Sequence, residues 1–331
     1  MKENLIFIGI DVSKLKLDIC VISNQGLESF EINNSPSSIT RLFKQLIKNY
    51  SKEKLLVCME STGYYNWPCY QSLKELALEL YVINALHLKR SLGLVRGKND
   101  LIDAERIARF IKLHHKNLHP FIFTRLIIRK IQALIAYRNR LIKSKVKFKV
   151  PCKELEFLGE KNLAKEVKKS SQKIIREIQK QIDGIEIKLS EIIQNDIELN
   201  QTYKYITSVQ GVGKVLAWNI LVKTNEFKSI NNPRKLACYA GVVPFEFQSG
   251  SSIYRRPRVS YIADKSLKKL LHLSAMRAVR LEGDLQKYYL RKVDEGKNKM
   301  LVLNAVRNKI VARICSVVNN QKIYQNNLVL S

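Results

Sequence analysis

The sequence predicts an α/β domain built on a mixed sheet, followed by a mostly helical region. Residues 5–84 alternate short apolar runs, turn residues and helical periodicity, whereas long basic helical patterns follow Pro120. The 331 residues also exceed the roughly 250 to 300 residues over which one hydrophobic core usually keeps growing. We therefore expect more than one domain.

Three antiparallel strands open the predicted sheet. They are the apolar or alternating runs LIFIGIDV, LKLDICVIS and LESFEIN, at residues 5–12, 15–23 and 27–33. A helix should follow, because Ser35 can cap it and Pro36 suits its first turn. Its apolar positions recur at helical spacing: Ile39, Leu42, Phe43, Leu46 and Ile47.

The next elements complete the order βββαβαβα. Residues 54–61 (KLLVCMES) and 80–84 (LYVIN) predict buried strands, while Trp67 to Leu78 and residues 99–114 predict helices. This order describes a mixed sheet covered by helices and is typical of a ribonuclease-H-like or RuvC-like domain. We expect that domain to span residues 1–119.

Basic helices form the predicted connector, residues 120–200. Its first helix interleaves Lys and Arg with apolar residues, and its Tyr137 and Phe148 favour core packing over stacking on bases. Farther on, apolar spacings of four and three continue for about two heptads. A coiled-coil dimer contact and a helical hairpin packed within one chain explain this seam equally well. The seam residues are Ile178, Ile182, Ile185, Leu189 and Ile192.

A smaller, mostly helical domain is expected over residues 201–331. The segment SVQGVGKVLAWNIL places Gly211 and Gly213 in a tight turn before Lys214, where glycine amides can approach a DNA phosphate closely. The segment LACYAGVVPFEFQSGSSIYRRPR predicts a helix end, a turn and a polar loop. Basic helices should run from about Lys265 onward.

The charge of the chain indicates an anionic partner. Its 58 Lys and Arg oppose 29 Asp and Glu, a formal net charge of +29. Nucleic acid is the leading candidate, because neutralised phosphates release condensed counterions. A membrane surface is disfavoured, since the amino terminus lacks a signal-peptide pattern and no stretch approaches transmembrane length. We expect a cytoplasmic protein whose six scattered cysteines are reduced.

Four acidic residues suit a metal site. Asp11 ends the first apolar strand and Glu60 the fourth, so both emerge at one edge if these strands are neighbours. Asp100 and Asp103 are three residues apart in a predicted helix, which places them one turn apart on one face. Each acid taken singly also suits a turn, a solvated strand end or the positive end of a helix dipole. Together they favour a shared site.

Magnesium is the cation that this set of ligands predicts. Four hard oxygen ligands in a basic protein indicate two Mg²⁺ ions rather than zinc, which favours His or Cys. Two such ions can stabilise the attacking and leaving oxygens of phosphoryl transfer. Other acids, such as Asp18 and Glu105, lack this placement and are expected to be solvated.

Six motifs in this order resemble the DEDD-type transposases of the IS110 group of insertion sequences, which are related to the pilin-gene invertases. GIDVSK, ESTGYY and KNDLIDAERIA contain the four acids, and GVGKVLA, NEFKSINNPRKLACYAGVVPFEFQSG and LKKLLHLSAMRA follow in the second half. The resemblance implies a RuvC-like domain joined through a coiled coil to a smaller transposase domain. It also implies catalytic, metal-binding roles for Asp11, Glu60, Asp100 and Asp103.

The resemblance further implies a serine nucleophile. Ser249, just before Gly250, matches the family's serine, and its expected role is attack on a DNA phosphate to give a phosphoserine link. From the residues alone, Ser251 or Ser252 would serve equally well. Three arginines nearby suit phosphate contacts or a solvated loop: Arg255, Arg256 and Arg258. Where members usually have a glycine followed by a polar residue and later an arginine, this chain has Ala263, Asp264 and Lys268.

The resemblance implies two kinds of partner besides DNA. One is a structured noncoding (bridge) RNA that pairs with target and donor DNA, and the other is further copies of the chain, as a dimer or tetramer. The basic helices offer phosphate-binding surface without an obvious base-reading helix, which is consistent with specificity delegated to base pairing. Two alternatives fit the residues: a junction-resolving nuclease that uses water, and a nonenzymatic nucleic-acid-binding protein.

Overall fold

In a computed structural model the chain forms two compact units, residues 1–123 and 124–331. The structure describes residues 5–61, 63–91, 100–249 and 253–325. Within these ranges it leaves six side chains undescribed: Asp100, Phe247, Ser249, Ile253, Arg255 and Arg256. No helix in the described ranges is long and apolar enough to cross a membrane.

A five-stranded mixed sheet forms the centre of the first unit. Its strand order is β3-β2-β1-β4-β5. Strands β1, β2 and β3 pair antiparallel, whereas β1, β4 and β5 run parallel. The strands are β1 (Ile6–Val12), β2 (Lys16–Ser23), β3 (Gly26–Asn33), β4 (Leu55–Glu60) and β5 (Glu79–Ile83). The mixed sheet predicted from the sequence is confirmed.

Helices cover both faces of this sheet. Two helices and the residues Ile8, Ile10 and Val12 of β1 bury one apolar face. On the other face, one long helix packs against β1, β2 and β4. The helices are α1 (Pro36–Tyr50), α2 (Trp67–Glu75), α3 (Ala85–Ser91) and α4 (Asp100–His114), of which α4 is the long one. Ser35 caps α1 by accepting the N–H of Ser38, as predicted.

Helix α4 approaches the sheet closely at Gly9. A Cβ atom on Gly9 would lie 2.2 Å from the carbonyl oxygen of Ala104 and 2.3 Å from the amide nitrogen of Ala108. Only a glycine allows two backbones to approach this closely without displacement. The rings of Phe7 and His115 also meet, with centroids 5.4 Å apart. Because Ala104 lies at Gly9 and His115 at Phe7, α4 runs antiparallel to β1.

Helices and one hairpin build the second unit around a single core. The helices are α5 (Leu126–Phe157), α6 (Lys161–Gln194), α7 (Ile197–Ser208), α8 (Lys214–Lys223), α9 (Pro233–Tyr239), α10 (Lys265–Ala278), α11 (Asp284–Asp294) and α12 (Lys299–Asn319). Residues from α5 to α12, from Ile128 to Val317, share this core. The predicted subdivision of this region at residue 201 stays a prediction.

Helices α5 and α6 form a helical hairpin packed within one chain, one of the two structures that the seam predicted. Ile182, Ile185 and Leu189 are buried, and Arg138 of α5 donates to Glu186 of α6 across 2.6 Å. The coiled-coil dimer contact stays a prediction.

The segment expected to be a polar loop forms a β-hairpin instead, so that prediction is wrong for its described residues. Strands β6 (Pro244–Ser249) and β7 (Ile253–Val259) pair antiparallel, with a bulge between Phe245 and Phe247. The two phenylalanines alternate with polar residues, which is a strand pattern. Pro257 is compatible with β7 because a two-stranded sheet consists of edge strands.

All six cysteines are free thiols, as predicted. Cys238 is partly exposed, and the other five are buried. Burial raises the pKa of the Cys20 thiol to about 11 and that of the Cys69 thiol to about 12. These buried thiols therefore stay protonated at neutral pH.

Candidate active site

Asp11 and Glu60 end neighbouring parallel strands at the same edge of the sheet. Ile10 of β1 lies opposite Met59 of β4, and the two acids are the next residues in their strands. Side chains alternate between the faces of a strand, so Asp11 shares the face of Gly9, which α4 covers. Both acidic side chains are half-buried. The structure thus places Asp11 and Glu60 side by side at one edge of the sheet, as the sequence predicted.

The amino end of α4 lies at this edge of the sheet. Helix α4 runs antiparallel to β1. Going back along the helix from Ala104 to Asp100 therefore leads the same way as going forward along the strand from Gly9 to Asp11. Asp100 is the first residue of α4. A helix begins with unpaired N–H groups and a partial positive charge, which favour nearby carboxylates. The topology thus brings the predicted acidic positions of α4, β1 and β4 to one edge.

Of the two α4 acids, Asp103 forms an ion pair within the helix. Asp103 is half-buried, and its Oδ1 accepts a hydrogen bond from Arg106 at 2.6 Å. It precedes Ile107, which packs on β4 residues, by one helical turn. The Asp100 side chain lies outside the description. Among the side chains that are described, no three His, Cys, Asp or Glu residues stand close enough to hold one metal ion.

Asp18 was expected to be solvated, and that expectation is wrong. Its side chain is 2% exposed, and its Cα is the register partner of Asp11. The two acids therefore lie on the same face, which α4 covers near Cys20. We call Asp18, Asp11 and Glu60 the acid row, because they occupy one edge of three adjacent strands, β2, β1 and β4. Glu105, by contrast, is half-buried and pairs with Arg109.

Two asparagines that the sequence analysis missed fix the loops beside the acid row. Asn66 is buried and donates to the backbone carbonyl of Glu60 at 2.7 Å. Asn34 donates to the carbonyls of Ser13, at 2.9 Å, and Tyr65, at 3.0 Å. These bonds tie the loop after β1 to the turn after β4. A polar residue in an otherwise ordinary turn gave no sequence signal for this role.

The donor chemistry at this edge fits a divalent cation. The acid row offers carboxylate oxygens alone, which are the ligands of Mg²⁺ and similar hard ions. One of these atoms, Oδ1 of Asp18, is buried and has no hydrogen-bond partner among the described residues. Asp11, Glu60, Asp100 and Asp103 would hold the cations. Bound there, such ions would stabilise the charge that develops on the oxygens of a reacting phosphate.

In the second unit, Ser249 is the last residue of β6 and pairs with Ile253 across the hairpin. It therefore stands at the tip of the hairpin, but its side chain lies outside the description, as do Ser251 and Ser252 entirely. Arg255 and Arg256 belong to β7, and their side chains are likewise undescribed. Arg258 is exposed on β7.

The two glycines proposed to approach phosphate differ in their surroundings. Gly211 has a φ of +87°, and a Cβ there would lie 2.7 Å from the carbonyl oxygen of Ser274 in α10. Its close approach is therefore to another helix. A Cβ on Gly213 would meet nothing within 4 Å. Lys214 is half-exposed and ion-pairs with Glu186 at 2.5 Å. Gly213 thus keeps the open surroundings that a phosphate contact needs.

Two aromatic residues of α5 are exposed, contrary to the core packing that the sequence favoured. Tyr137 is 47% exposed and Phe148 is 37% exposed. The faces of α5 that pack against the rest of the unit are instead occupied by Ile128, Ile131 and Ile135. Exposed aromatic rings on a basic helix are surfaces on which bases can stack.

Asp264 fixes the start of α10, which follows the hairpin. It accepts the N–H of Leu267 at 2.9 Å and ion-pairs with Lys223 at 2.7 Å. Burial alone would raise the pKa of this carboxyl, but hydrogen bonds from Lys223, Ser266 and the Leu267 amide lower its pKa to about 2. Lys268, which stands where family members usually have arginine, lies one turn into α10 and is half-buried.

Comparisons with known proteins agree with this arrangement of motifs. A family model described as a transposase matches residues 8–155, and one described as the transposase IS116/IS110/IS902 family matches residues 203–290. The pilin gene-inverting proteins of Moraxella bovis and Moraxella lacunata are each 24% identical over 332 residues, covering 97% of this chain and 98% of the relative.

A solved structure is also similar, the T. thermophilus RuvC in complex with Holliday junction substrate. It is 14% identical, with a TM-score of 0.27, and the match covers 35% of this chain and 99% of RuvC. Both family models are models of IS110 transposases, and together they match more than half of the chain. The chain therefore belongs to the IS110 family of transposases.

Proposed function

We propose that this protein cuts and rejoins DNA strands, with divalent cations held by Asp11, Glu60, Asp100 and Asp103 and with Ser249 as nucleophile. The observation that carries the proposal is the meeting of β1, β4 and the amino end of α4 at one sheet edge, each bearing an acid at that edge. Membership in a transposase family supports DNA as the substrate.

The proposed chemical step transfers one DNA phosphate to the protein and back. Ser249 Oγ forms a bond to phosphorus while the bond from phosphorus to a deoxyribose oxygen breaks, and the serine proton ends on that leaving oxygen. A hydroxyl of the second DNA strand then attacks the phosphoserine, and the reverse proton transfer regenerates the serine. The cations, which we propose to be two Mg²⁺ ions, supply charge stabilisation.

The carboxylate assignment is tested by Asp11→Asn in the full chain. We expect strand cleavage of DNA taken from the flanks of the gene to fall at least about 100-fold, because several kcal/mol of transition-state stabilisation depend on the cations. Chelation of divalent cations should have the same effect on the unaltered protein. Glu53→Gln is the matched control, since Glu53 is exposed just before β4 begins, at the opposite edge of the sheet.

Ser249→Ala tests the nucleophile. The unaltered protein should form a covalent adduct with DNA that survives denaturation, and the variant should form none because the oxygen that bonds to phosphorus is missing. Ser251→Ala and Ser252→Ala are matched controls, because both serines follow Ser249 closely in the sequence. Adducts retained by Ser249→Ala would refute the assignment of the nucleophile. Cleavage at an unchanged rate without adducts would favour the junction-resolving nuclease that uses water.

A nonenzymatic role would show itself differently. If Asp11→Asn and chelation changed only the affinity for DNA, the protein would be a nucleic-acid-binding protein without strand-transfer activity. Unchanged cleavage in chelator would exclude the proposed cation site. These outcomes distinguish the three classes of function with one set of variants.

The remaining parts of the proposal concern partners. We propose that a structured noncoding RNA, transcribed from the same element, selects the DNA sites by base pairing, and that the active species is a homo-oligomer, a dimer or a tetramer, in the cytoplasm. The excess of basic residues supports an RNA partner as well as a DNA partner. Sequencing of RNA that copurifies with the protein tests this: a defined transcript from beside the gene is expected, and bulk cellular RNA would contradict it.

A further inference from the structure

We propose that Asp18 is a fifth carboxylate of the cation site, a positioning residue that accepts a hydrogen bond from a water molecule in the hydration shell of a divalent cation. The inference rests on the proposed function and deepens it, because it adds a residue from β2 to a site otherwise built on β1, β4 and α4. Three observations carry it: the register of Asp18, its burial and the state of its two carboxylate oxygens.

The strand register fixes the position of Asp18. Asp11 and Asp18 are Cα partners in the antiparallel pair of β1 and β2. Directly opposite residues project on the same face with Cβ atoms about 5 Å apart. That face is covered by α4, because Cys20, two residues beyond Asp18, packs against Ala104 and Ala108. Asp18 therefore lies between the sheet and α4, the helix whose amino end carries Asp100 and Asp103.

The two oxygens of Asp18 have different surroundings. Oδ2 lies 3.3 Å from Nζ of Lys16, which also binds the exposed Glu31 at 3.1 Å. Oδ1 is buried and has no hydrogen-bond partner among the described residues. An ion pair with Lys16 thus accounts for one oxygen and leaves the other without a partner. A buried carboxylate oxygen without a partner is costly, so the position calls for a ligand that donates a hydrogen bond or carries positive charge.

The carboxylate of Asp11, opposite Asp18, favours a cation as the ligand. Two like charges directly opposite each other on adjacent strands destabilise a sheet. A divalent cation beside Asp11 removes that repulsion. Mg²⁺ keeps several of its water molecules when it binds to proteins. We therefore assign to Asp18 a contact mediated by one of these water molecules.

Asp18→Asn is the test, with cation affinity as the readout. Titration calorimetry of the DNA-free full chain with Mn²⁺ and with Mg²⁺ should give an affinity about 10- to 100-fold weaker than that of the unaltered protein, the loss typical of a residue that supports a metal ligand. Glu31→Gln is the matched control, because it also removes a carboxylate partner of Lys16 but is exposed. It should bind both cations as the unaltered protein does.

Thermal unfolding in the absence of cations distinguishes a role of Asp18 in positioning the cation from a role in stabilising the fold. If Asp18 served only the ion pair with Lys16, Asp18→Asn would lower the melting temperature in chelator and leave the cation affinity unchanged, which would overturn the proposal. Lys16→Met provides a second variant should Asp18→Asn fail to fold. It removes the ion pair and keeps the carboxylate, so cation affinity should stay the same or increase. A loss of affinity in Lys16→Met would also overturn the proposal.

Asp11→Asn, measured in the same titration, distinguishes this inference from the proposed function. If Asp11→Asn abolishes cation binding and Asp18→Asn does not weaken it, the role of Asp18 fails and the proposed site stands. If neither substitution changes cation binding, the proposed site fails as a whole.

Discussion

Gly9 occupies the point where α4 crosses β1, two residues before Asp11. Because the atoms nearest to its missing Cβ are backbone atoms of Ala104 and Ala108, no side-chain rotation can make room for a methyl group. Any side chain at this position must move the helix that carries Asp100 and Asp103. The position of the acids therefore depends on a residue without functional groups.

We expect Gly9→Ala to lower the free energy of unfolding of the first unit by about 3 kcal/mol or more, at the upper end of overpacking effects. Urea unfolding of the full chain, followed by circular dichroism, measures this loss. Gly184→Ala in α6 is the control, since a Cβ there meets nothing within 4 Å. That control should be stabilising by up to about 1 kcal/mol. Equal stabilities of the two variants would contradict the close approach.

At the scale of residues, the sequence predicted that Asp11 and Glu60 lie at one edge of the sheet, because each acid ends an unbroken apolar strand. It did not predict Asp18, because the alternation of Leu17, Asp18 and Ile19 is that of a strand with one solvated face. That second face is covered by α4, which is distant in sequence. Alternation alone cannot distinguish a solvated face from a face that a later helix covers.

At the scale of elements, α5 combines a packed amino-terminal part with an exposed basic surface. The isoleucines from Ile128 to Ile135 enter the core, while Tyr137 and Phe148 are exposed. The ring of an exposed aromatic residue contributes about 1 to 3 kcal/mol of stacking energy per base in single-stranded nucleic acid complexes. We therefore infer that α5 contributes to nucleic-acid binding.

The double substitution Tyr137→Ala with Phe148→Ala should weaken binding of single-stranded RNA or DNA by at least about 10-fold, the equivalent of one lost stacking contact. Fluorescence anisotropy with a labelled oligonucleotide measures the affinity. Ile187→Ala, at a position that is 60% exposed on α6, is the matched control and should not change it. Unchanged affinity in the double variant would show that the two rings do not stack on bases.

The elements themselves were largely predictable, with β6 and β7 as the exception. The strands of the first unit follow apolar runs bounded by turns, and Ser35 with Pro36 predicted the start of α1. Strands β6 and β7 were missed because their apolar residues are few and the pairing of Ser249 with Ile253 depends on a turn that composition does not specify. A short, polar hairpin has the composition of a loop.

At the scale of the whole molecule, most of the net charge of +29 belongs to the second unit, residues 124–331. We expect nucleic-acid affinity to fall at least about 10³-fold between roughly 50 and 200 mM salt, as it does for proteins that contact six or more phosphates. A filter-binding titration at several salt concentrations measures the slope. Arg258→Gln should reduce that slope by about one if the exposed Arg258 contacts a phosphate. A slope near zero would contradict phosphate contacts as the source of affinity.

The division of the whole molecule was predictable only in part. Helical patterns after Pro120 predicted that a second region begins there, and the second unit begins at residue 124. The extent of the shared core in that unit was not predictable, because Ile128 of α5 and Val317 of α12 are separated by most of the region. Contacts between residues so far apart in sequence leave no periodic signal in either segment.

The burial of five of the six cysteines has a practical consequence. The thiolate of an accessible cysteine attacks thiol-reactive dyes and spin labels, and here only Cys238 is partly accessible. Replacing Cys238 by serine would give a chain in which a cysteine introduced at a chosen surface position reacts first. Pairs of such labels, one in each unit, would report how far apart the units stand before and after DNA is added.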